Sequence, residues 1–569
     1  MKFLFIVSLL SVIWMTGVAA ETEKFSAASD IMAVTINGKT FKVHDQHHVP
    51  AWNASSRGGE VRMMELKNLM VTGTLPEGIT IKSIDVVTAD KRASVQFFSD
   101  RTCTRPYTIT TTTVKTGEQV CYIKVLAPDG NTYQVYTLSI MGLNSVNHAQ
   151  YYKYGEPTFV ADSYHTWIWA IQHAQPGQII AVTKTEQYLY KPGEYLFNPR
   201  IEDKQHIVVR SLSGSYDDLV VRGHGFHKGS YKGGLPHDEL FTVSGANTKD
   251  IVVYGVTIRE STSNGFKLNG YGEENIIFDN CRAIDVNERA FKGSGPQVDG
   301  KYTRSKNISI INCRFENTQI PELSDHMPEF GGNYIGGIDV MNISGLTIAG
   351  NTFENIIGHN KSARPPIFIW GQDGCENVLI ENNIILNCDQ GIGLGNHSGN
   401  PAGNSIGGFY INGAVIRNNI IYLSERRLDM LELNRTNQVK IYNNTLWRSN
   451  VSGRSIRDSE GKTTPSLNVS IINNIICGSV NDLPLGKSID IRHNIFSFDA
   501  SSETLPVGEG NVNCVVPDSF FVDAAKGDFR LRASSVQAFR KGIPLQEAEA
   551  DFYGTPRGST PDLGAYQKE

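Results

Sequence analysis

The sequence lacks three features that would assign it to common functional classes. It has no basic excess, because 53 Lys and Arg residues against 58 Asp and Glu residues give a formal net charge of -5. Proteins that hold nucleic acid by general electrostatics usually carry such an excess, so we expect no nucleic-acid partner. It has no CxxC pair and no cysteine–histidine spacing typical of zinc. After residue 20 no apolar run approaches the ~20 residues that cross a bilayer, so we expect no membrane span.

Cysteine is also scarce, with eight residues in a chain of 569. That density excludes a small disulfide scaffold, although an oxidising compartment would permit bridges. Cys103 and Cys121 could bridge within the N-terminal region. Cys281 and Cys313 occupy equivalent points of successive repeats, where strands ~4.8 Å apart would allow a disulfide. Two stacked free thiols are the alternative that we favour for this second pair.

The first 20 residues have the pattern of an export signal. Lys2 precedes a largely apolar run over residues 3–13, and the ending Val18-Ala19-Ala20 follows. This pattern predicts a secretory signal peptide at residues 1–20 and a mature protein exported to the periplasm or the extracellular space. We expect a monomer.

Residues 21–148 alternate short strand-like runs with turn signals. The turn Pro128-Asp129-Gly130-Asn131 separates two such runs, 121–125 and 133–138, which predicts a β-hairpin in a small β-sandwich. The region resembles the immunoglobulin-like modules that precede catalytic domains in exported bacterial carbohydrate enzymes. The resemblance implies a spacer or docking module.

From about residue 207 to residue 498 the sequence repeats a pattern of three short strands. The period varies between 20 and 47 residues, which predicts an all-β solenoid, a parallel β-helix with three strands per turn. Each repeat of the second strand ends in an asparagine that should satisfy backbone groups at a bend and tolerate a left-handed conformation there. These asparagines are predicted to form a structural ladder: Asn351, Asn383, Asn419, Asn444, Asn474 and Asn494.

The first strand of each repeat places one variable residue between apolar neighbours. Alternation along a strand turns that middle residue outward, so the middle residues of successive turns should form a column. The predicted column is Thr242, Lys267, Lys292, Asp339, Ile369, Gly393, Glu432 and Arg457. Gly265, Ala290, Gly337 and Gly391 are expected to face outward two residues earlier and to form a shallow groove floor.

At these repeats the chain resembles the pectin-lyase-like superfamily of right-handed parallel β-helix proteins. The ending, residues 551–557 and 561–566, is similar to the terminal cap of many exported bacterial β-helix proteins. The resemblance implies that residues 149–569 form one right-handed β-helix with caps, preceded by the β-sandwich. A short amphipathic helix is expected at residues 167–174.

Three cations of the column region could support β-elimination on a uronate-containing polysaccharide. Lys267 and Lys292 stack in adjacent turns, and Arg289 lies three residues before the second lysine. Like charge and burial both favour a neutral amine, so Lys267 is predicted to be the base that removes the C5 proton. Lys292 and Arg289 would neutralise the uronate carboxylate and so acidify that proton. The expected partner is therefore an anionic polysaccharide.

The lysine pair also resembles the lysine and arginine that act one turn apart in chondroitinase-B-type and alginate lyases. The resemblance implies that Glu260, seven residues before Lys267, is a calcium ligand. Two residues depart from that pattern, because Lys292 stands where arginine is expected and Thr262 stands where a second acidic ligand is expected. Calcium is thus an open alternative, and no other cofactor is expected.

Two other function classes remain open. A glycoside hydrolase would use Asp339 with a second carboxylate, and Glu316 and Glu354 fall at equivalent points on another face. A non-catalytic glycan-binding or surface protein is the third class. Residues expected to bind or position substrate are Asn264, Asn396, His397 and Glu432. Trp370 is expected to point inward and to belong to the core.

Overall fold

The computed structural model describes residues 29–568 except 55–60, 192–193, 228–238, 326–331, 397–405, 424–428, 449–453, 460–464, 481–482, 484–487, 499–503 and 515–519. The predicted signal peptide lies outside the described residues. The chain divides into two compact units. The first comprises Met1–Ala51, Met63–Ala170 and Ile179–Lys184, and the second comprises Trp52–Arg62, Ile171–Gln178 and Thr185–Glu569. The predicted domain boundary between residues 148 and 149 stays a prediction.

The N-terminal strands pair mainly antiparallel and form a β-sandwich-like layer. The predicted hairpin is confirmed, since Gly117–Leu126 pairs antiparallel with Tyr133–Leu143 over the turn at Asp129. Alternate residues of these strands, such as Ile123 and Leu138, are fully buried in one apolar core. The strands are Ile31–Ile36, Lys39–Ala54, Val61–Pro76, Ile84–Thr88, Ser94–Phe98, Gly117–Leu126 and Tyr133–Leu143.

Two α-helices follow this layer in sequence. Ser145–Tyr152 begins at a capping box in which the Asn144 side chain accepts from Val146 N and Asn147 N. Tyr164–Gln172 is the helix predicted at residues 167–174, and it begins and ends earlier than expected. Within the described ranges, no helix is long and apolar enough to cross a membrane.

The second unit is built from three parallel sheets through which the chain passes in turn. Residues of equivalent strands pair in register from turn to turn, and parallel crossovers of this kind are right-handed. The predicted right-handed parallel β-helix with three strands per turn is therefore confirmed. The 9-stranded sheet, called here the site sheet, consists of Arg200–Glu202, Glu239–Ser244, Asn264–Leu268, Arg289–Gly293, Gly336–Met341, Ile367–Trp370, Ile392–Leu394, Leu431–Leu433 and Ile456–Asp458.

Two further sheets complete each turn. One of them, called here the third-strand sheet, is formed by the third strand of each turn. Its 12 strands are Thr185–Tyr188, Leu219–Arg222, Thr257–Ser261, Arg282–Val286, Arg314–Glu316, Thr352–Glu354, Ile384–Leu386, Ile420–Leu423, Thr445–Arg448, Ile475–Cys477, Ile495–Ser497 and Val512–Asn513. The other sheet contains Gln205–Ser211, Lys249–Tyr254, Glu274–Asp279, Ser305–Ile311, Ile343–Ala349, Cys375–Glu381, Ile411–Arg417, Thr436–Tyr442, Leu467–Ile472 and Ile489–Arg492. Shorter paired strands are Phe159–Ala161 with Ile179–Val182, Tyr190–Lys191 with Glu194–Tyr195, Gln297–Val298 with Lys301–Tyr302, and Phe521–Asp523 with Asp528–Leu531.

Aromatic side chains fill the interior beneath the first turns of the site sheet. Phe241 and Phe266 have ring centroids 5.9 Å apart, and Phe278 lies 5.5 Å from Phe266 and 4.9 Å from Phe291. All four are buried. Phe278 packs edge to face against both Phe266 and Phe291, so aromatic contacts join successive turns of the β-helix.

The predicted asparagine ladder is confirmed. Each side-chain oxygen from Asn383 to Asn494 accepts a hydrogen bond of 2.8 to 3.0 Å from the backbone N–H of the ladder residue one turn earlier. The ladder asparagines themselves do not adopt the left-handed conformation. The residue before each one does: Gly350, Asn382, Asn418, Asn443, Asn473 and His493. The ladder residue instead turns its amide inward to hydrogen-bond backbone groups that the bend leaves without sheet partners.

The C-terminal segment packs on the β-helix, as its resemblance to a terminal cap implies. Leu563, Ala565 and Tyr566 share one apolar cluster with Trp447 and Ile475. All eight cysteines are free. The possible Cys103–Cys121 bridge is therefore wrong, whereas the favoured pair of stacked thiols is present at Cys281 and Cys313, with Cys313 Sγ 3.4 Å from Cys281 N.

Candidate functional site

The charged column runs along the outward face of the site sheet. Strand pairing places Thr242, Lys267, Lys292 and Asp339 directly in register. The column continues through Phe368, Gly393, Glu432 and Arg457. Ile369 was predicted in place of Phe368, and this is wrong by one residue, since Ile369 is fully buried.

Asp339 is the centre of the charge cluster. Its Oδ2 accepts from Arg289 Nε at 2.7 Å and from Lys292 Nζ at 2.9 Å, and its Oδ1 accepts from Trp370 Nε1 at 3.0 Å. Burial raises the pKa of Asp339, but Lys292 and Arg289 outweigh burial and lower the pKa to about 2. Asp339 is therefore ionised and fixes three donors. An ionised carboxylate with so low a pKa is poorly suited to act as a general acid near neutral pH.

Lys267 is the most shielded amine of the column. Its side chain is 13% exposed, and its Nζ lies 3.5 Å from Glu239 Oε1. Burial lowers the pKa of Lys267; Lys292 lowers it further, whereas Glu239 and Asp339 raise it. The net change is downward, which is the direction that the sequence predicts for a stacked and buried amine.

A second outward row begins the strands of the site sheet with Glu239, Asn264, Arg289 and Gly336. Arg289 can lie across the next turn because Gly336 has no side chain, and a Cβ there would come within 3.3 Å of Arg289 Cδ. Asn264 is buried, and its amide oxygen has no hydrogen-bond partner within the described part of the chain. The row thus offers an acceptor next to the cations.

The predicted glycine floor is wrong. Gly265 and Gly337 face the interior, since an added Cβ would lie 2.0 Å from Ile258 Cδ1 at the first and 2.9 Å from the Phe353 ring at the second. Gly391 also lies against a core side chain, and Ala290 is buried. These glycines make room for apolar packing, and the glycine that shapes the outward surface is Gly336.

Phe368 and Trp370 form an aromatic pair next to Asp339. Their ring centroids are 6.1 Å apart with an interplanar angle of 29°. Trp370 is half-buried and hydrogen-bonded to Asp339, so the prediction that it belongs to the core is wrong. Gly393 leaves room for the Phe368 ring, because a Cβ there would come within 3.1 Å of it.

Two residues that sequence reasoning did not single out lie among the charged groups. The face of the Tyr334 ring lies 4.1 Å from the Arg289 guanidinium carbon, and burial raises the pKa of Tyr334. Burial lowers the pKa of Arg364; Arg289 lowers it further, whereas Tyr334, Asp339 and Glu432 raise it. Tyr334 lies two residues before the strand Gly336–Met341 and Arg364 three residues before Ile367–Trp370, and this position just before a strand of the site sheet could have identified both.

Asp389 anchors the segment that carries Arg364. Its Oδ2 accepts from Gly358 N at 2.8 Å and from Ala363 N at 2.9 Å. Gln390 Nε2 donates to Ala363 O at 2.6 Å. Backbone bonds at both ends of the segment therefore fix the residue from which the Arg364 side chain extends.

Further along the column Glu432 belongs to a second charged group. Arg457 donates to Glu432 Oε1 at 2.7 Å and lies 3.0 Å from Asp429 Oδ2, and Arg454 lies 2.9 Å from Asp429 Oδ1. Burial raises the pKa of Asp429; Arg457 and Arg454 lower it, and Glu432 raises it, for a net rise. Two carboxyl groups thus share one guanidinium at this end of the column.

The geometry of Glu260 does not fit a calcium ligand. Arg222 holds both oxygens, at 2.5 Å for Oε1 and 3.2 Å for Oε2, and Arg259 Nε lies 3.2 Å from Oε1. Two guanidinium groups on one carboxylate leave little negative charge for a divalent cation. We therefore derive no step through calcium.

The remaining residues predicted from the sequence lie in three places: on another sheet, just after a strand of the site sheet, and outside the described residues. Glu316 and Glu354 are in register on the third-strand sheet. Arg314 binds both carboxylates, and Arg282 also binds Glu316. They are thus structural ion pairs on another face. Asn396 follows the Ile392–Leu394 strand of the site sheet. His397 lies outside the described residues.

No protein family model matches the sequence, and no curated protein matches it. Among solved structures, the chain is similar to an alginate lyase from Paenibacillus sp. str. FPU-7, with 12% identity, a TM-score of 0.31, and coverage of 62% of this chain and 95% of that chain. It is also similar to a family 28 exopolygalacturonase of Yersinia enterocolitica, with 10% identity, a TM-score of 0.27, and coverage of 71% and 82%.

A third similar structure is the tailspike protein of E. coli bacteriophage HK620 in complex with a pentasaccharide. Its identity is 14% and its TM-score 0.30, and the match covers 62% of this chain and 63% of that chain. These neighbours have the pectin-lyase-like right-handed β-helix fold, as the resemblance in the sequence implies. At such identities the likeness is one of fold.

Proposed function

We propose that the site sheet binds an acidic polysaccharide and cleaves it by β-elimination, with Lys267 as the base. The observation that carries this proposal is a shielded amine of lowered pKa stacked in register over a fixed cation. The neighbours named above are an alginate lyase, a family 28 exopolygalacturonase and a tailspike protein in complex with a pentasaccharide. Those names agree with a polysaccharide partner.

The proposed reaction removes one proton and breaks one glycosidic bond. The neutral amine of Lys267 takes the proton from C5 of a uronate. The electron pair of the broken C5–H bond then forms the C4–C5 double bond. The bond from C4 to the glycosidic oxygen breaks, and that oxygen takes a proton from solvent or from a neighbouring acid. Tyr334 is the candidate acid, because its ring lies 4.1 Å from the Arg289 guanidinium carbon beside the column, and the charge of Arg289 lowers the pKa of Tyr334 against the larger rise that burial causes.

Lys292, Arg289 and Arg364 supply the positive charge that the reaction needs. Proton loss from C5 places negative charge on the uronate carboxylate, and fixed cations stabilise that charge without reorganising. Asp339 holds Lys292 and Arg289 in place before substrate arrives. Trp370, which is half-buried and packs against the buried Phe368 ring, provides an apolar surface of the kind on which a sugar ring stacks.

Glycoside hydrolysis is the second candidate, and the Asp429–Glu432 pair favours it over the Asp339 version predicted from sequence. Asp429 has the raised pKa that a general acid requires, and Glu432 lies beside it on the same guanidinium. The predicted signal peptide agrees with export, which we also propose.

A panel of uronate polysaccharides tests these candidates. Elimination creates an unsaturated uronate that absorbs in the ultraviolet, whereas hydrolysis gives reducing ends without that absorbance. We expect absorbance from the wild type and its loss by at least about 10³-fold in Lys267→Ala, since the base acts in the transition state. Lys249→Ala is the matched control, because Lys249 is a partly exposed lysine paired with Glu274 on another sheet.

Two results would contradict the lyase proposal. Reducing ends without absorbance, lost in Glu432→Gln but kept in Lys267→Ala, would establish the hydrolase. Saturable binding without any product from the whole panel would establish a glycan-binding protein.

A further inference from the structure

The first unit contains a compact group of one histidine and two aspartates. Asp30 directly precedes the strand Ile31–Ile36, and Asp45 and His47 lie on Lys39–Ala54. One ligand atom from each lies within 4.8 Å of the others. His47 Nε2 is 2.7 Å from Asp45 Oδ1 and 3.3 Å from Asp30 Oδ1.

Two side chains of the strand Tyr133–Leu143 orient both carboxylates. Tyr136 is buried and donates its hydroxyl hydrogen to Asp45 Oδ2 at 2.8 Å, which leaves Oδ1 facing His47. Gln134 Nε2 donates to Asp30 Oδ1 at 2.7 Å. Hydrogen bonds of this kind fix the ligands of protein metal sites from the second coordination shell.

Gln134 supplies an independent indication of a ligand. The residue is 5% exposed, and its amide lies against the cluster, with Nε2 3.5 Å from His47 Nδ1. Its buried Oε1 has no hydrogen-bond partner within the described ranges. An unsatisfied buried carbonyl costs about 1–3 kcal/mol, a cost that an ion or its bound water would remove.

The charge of the cluster also calls for a cation. Asp30 and Asp45 bring two carboxylates to the same histidine, within reach of one ion, and like charges this close repel each other. A divalent ion between them would relieve that repulsion.

We propose that Asp30, Asp45 and His47 bind a divalent transition-metal ion of the Zn²⁺ type, with a water in the fourth position that donates to Gln134 Oε1. Bonds of about 2.0–2.1 Å in a tetrahedral site place ligand atoms about 3.3–3.4 Å apart. The separation of His47 Nε2 from Asp30 Oδ1 already equals that edge, at 3.3 Å. The Asp45 contact has to open from 2.7 Å when the metal replaces the hydrogen on Nε2.

The bound ion would connect the segment before the first strand to the second strand. Its role is structural stabilisation of the first unit, and the proposed lyase chemistry does not depend on it. The group of His227, Glu322 and Asp325 is a weaker candidate. There Asp325 Oδ2 already accepts from Asn287 Nδ2 and Glu322 N and lies 3.1 Å from His227 Nδ1.

Calorimetric titration of the tag-free full chain with Zn²⁺, after chelator treatment, tests the site. We expect one binding event in the wild type, weakened at least about 100-fold in His47→Ala and in Asp45→Asn. His48→Ala is the matched control, because this neighbouring histidine is 72% exposed and lies outside the cluster. His227→Ala should bind like the wild type.

Thermal unfolding supplies a second readout. Zn²⁺ should raise the midpoint of an unfolding transition in the wild type and in His48→Ala but not in Asp45→Asn, whose fold circular dichroism can verify. Absence of binding in the wild type overturns the proposal. Wild-type affinity in a folded His47→Ala or Asp45→Asn variant does so equally.

Discussion

Burial and charge act on Lys267 and Asp339 with different net results. Both groups lose hydration, which disfavours the charged form of each. At Asp339 two cations within 3 Å outweigh that loss, and the carboxylate stays ionised. At Lys267 the partner Glu239 is 3.5 Å away and Lys292 opposes it, so the loss dominates. One sheet thus holds a fixed anion beside an amine that is ready to lose its proton.

The two neighbours of Lys267 should shift the pH dependence of turnover in opposite directions. The neutral amine is the active form, so kcat/KM should rise with pH through the lowered pKa of Lys267. Glu239 raises that pKa, and Glu239→Gln should move the rise to lower pH. Lys292 lowers it, and Lys292→Met should move the rise to higher pH, with a loss of kcat/KM as well. Rate profiles between pH 5 and 10 measure both shifts.

Lys249→Met provides the control for this pair, and its profile should overlay that of the wild type. Shifts of both variants in the same direction would show that Lys267 is not the titrating base. The sign of each shift follows from the charge that is removed, so the comparison does not depend on the size of either effect.

At the scale of single residues, the sequence predicts what strand alternation determines. Lys267, Lys292 and Asp339 were placed correctly because each lies between apolar neighbours that must face inward. Phe368, Ile369 and Trp370 are all apolar, so alternation could not fix which of them faces out. In the structure Trp370 faces Asp339, because its indole N–H needs a hydrogen-bond acceptor and donates to that carboxylate.

Among the secondary-structure elements, the repeating strands and the asparagine ladder were predictable because every turn repeats the same residue pattern. The contacts of the inserted segments were not, since they occur once and join distant residues. Asp389 and Ala363 are 26 residues apart in sequence. No local sequence pattern predicts the hydrogen bond between Ala363 N and Asp389, although Asp389 holds the segment that carries Arg364.

Loosening this segment should weaken substrate binding more than it slows chemistry. Asp389→Ala removes the acceptor for Gly358 N and Ala363 N, so Arg364 loses its fixed position. We expect KM to rise about tenfold, which corresponds to ~1.4 kcal/mol, with a smaller change in kcat. Steady-state kinetics on the best substrate of the panel measures both constants.

Arg364→Ala should reproduce the effect on KM, and adding Asp389→Ala to it should change little more. Such non-additivity is expected when one residue acts through another. Fully additive effects of the two substitutions would contradict a positioning role for Asp389.

The formal net charge of the whole chain is negative, whereas several cations lie close together at the proposed site. The chain carries -5 overall, while the cations Lys292, Arg289 and Arg364 gather in one region of the site sheet. A polyanion therefore meets repulsion at long range and attraction at short range. Salt screens the two at different concentrations, because the Debye length falls from about 30 Å at 0.01 M to about 10 Å at 0.1 M and about 3 Å at 1 M.

The affinity for an acidic polysaccharide should therefore pass through a maximum as salt increases. From 0.01 to about 0.1 M, screening removes the long-range repulsion while the cations still act over contact distances, so KM should fall. Toward 1 M the contact attraction is screened as well, and KM should rise again. Lys292→Met should flatten the rise at high salt because it removes one of the attracting charges, whereas Lys249→Met should leave the curve unchanged. A KM that increases steadily from the lowest salt would mean that local attraction dominates at every distance and that the net charge has no influence on capture.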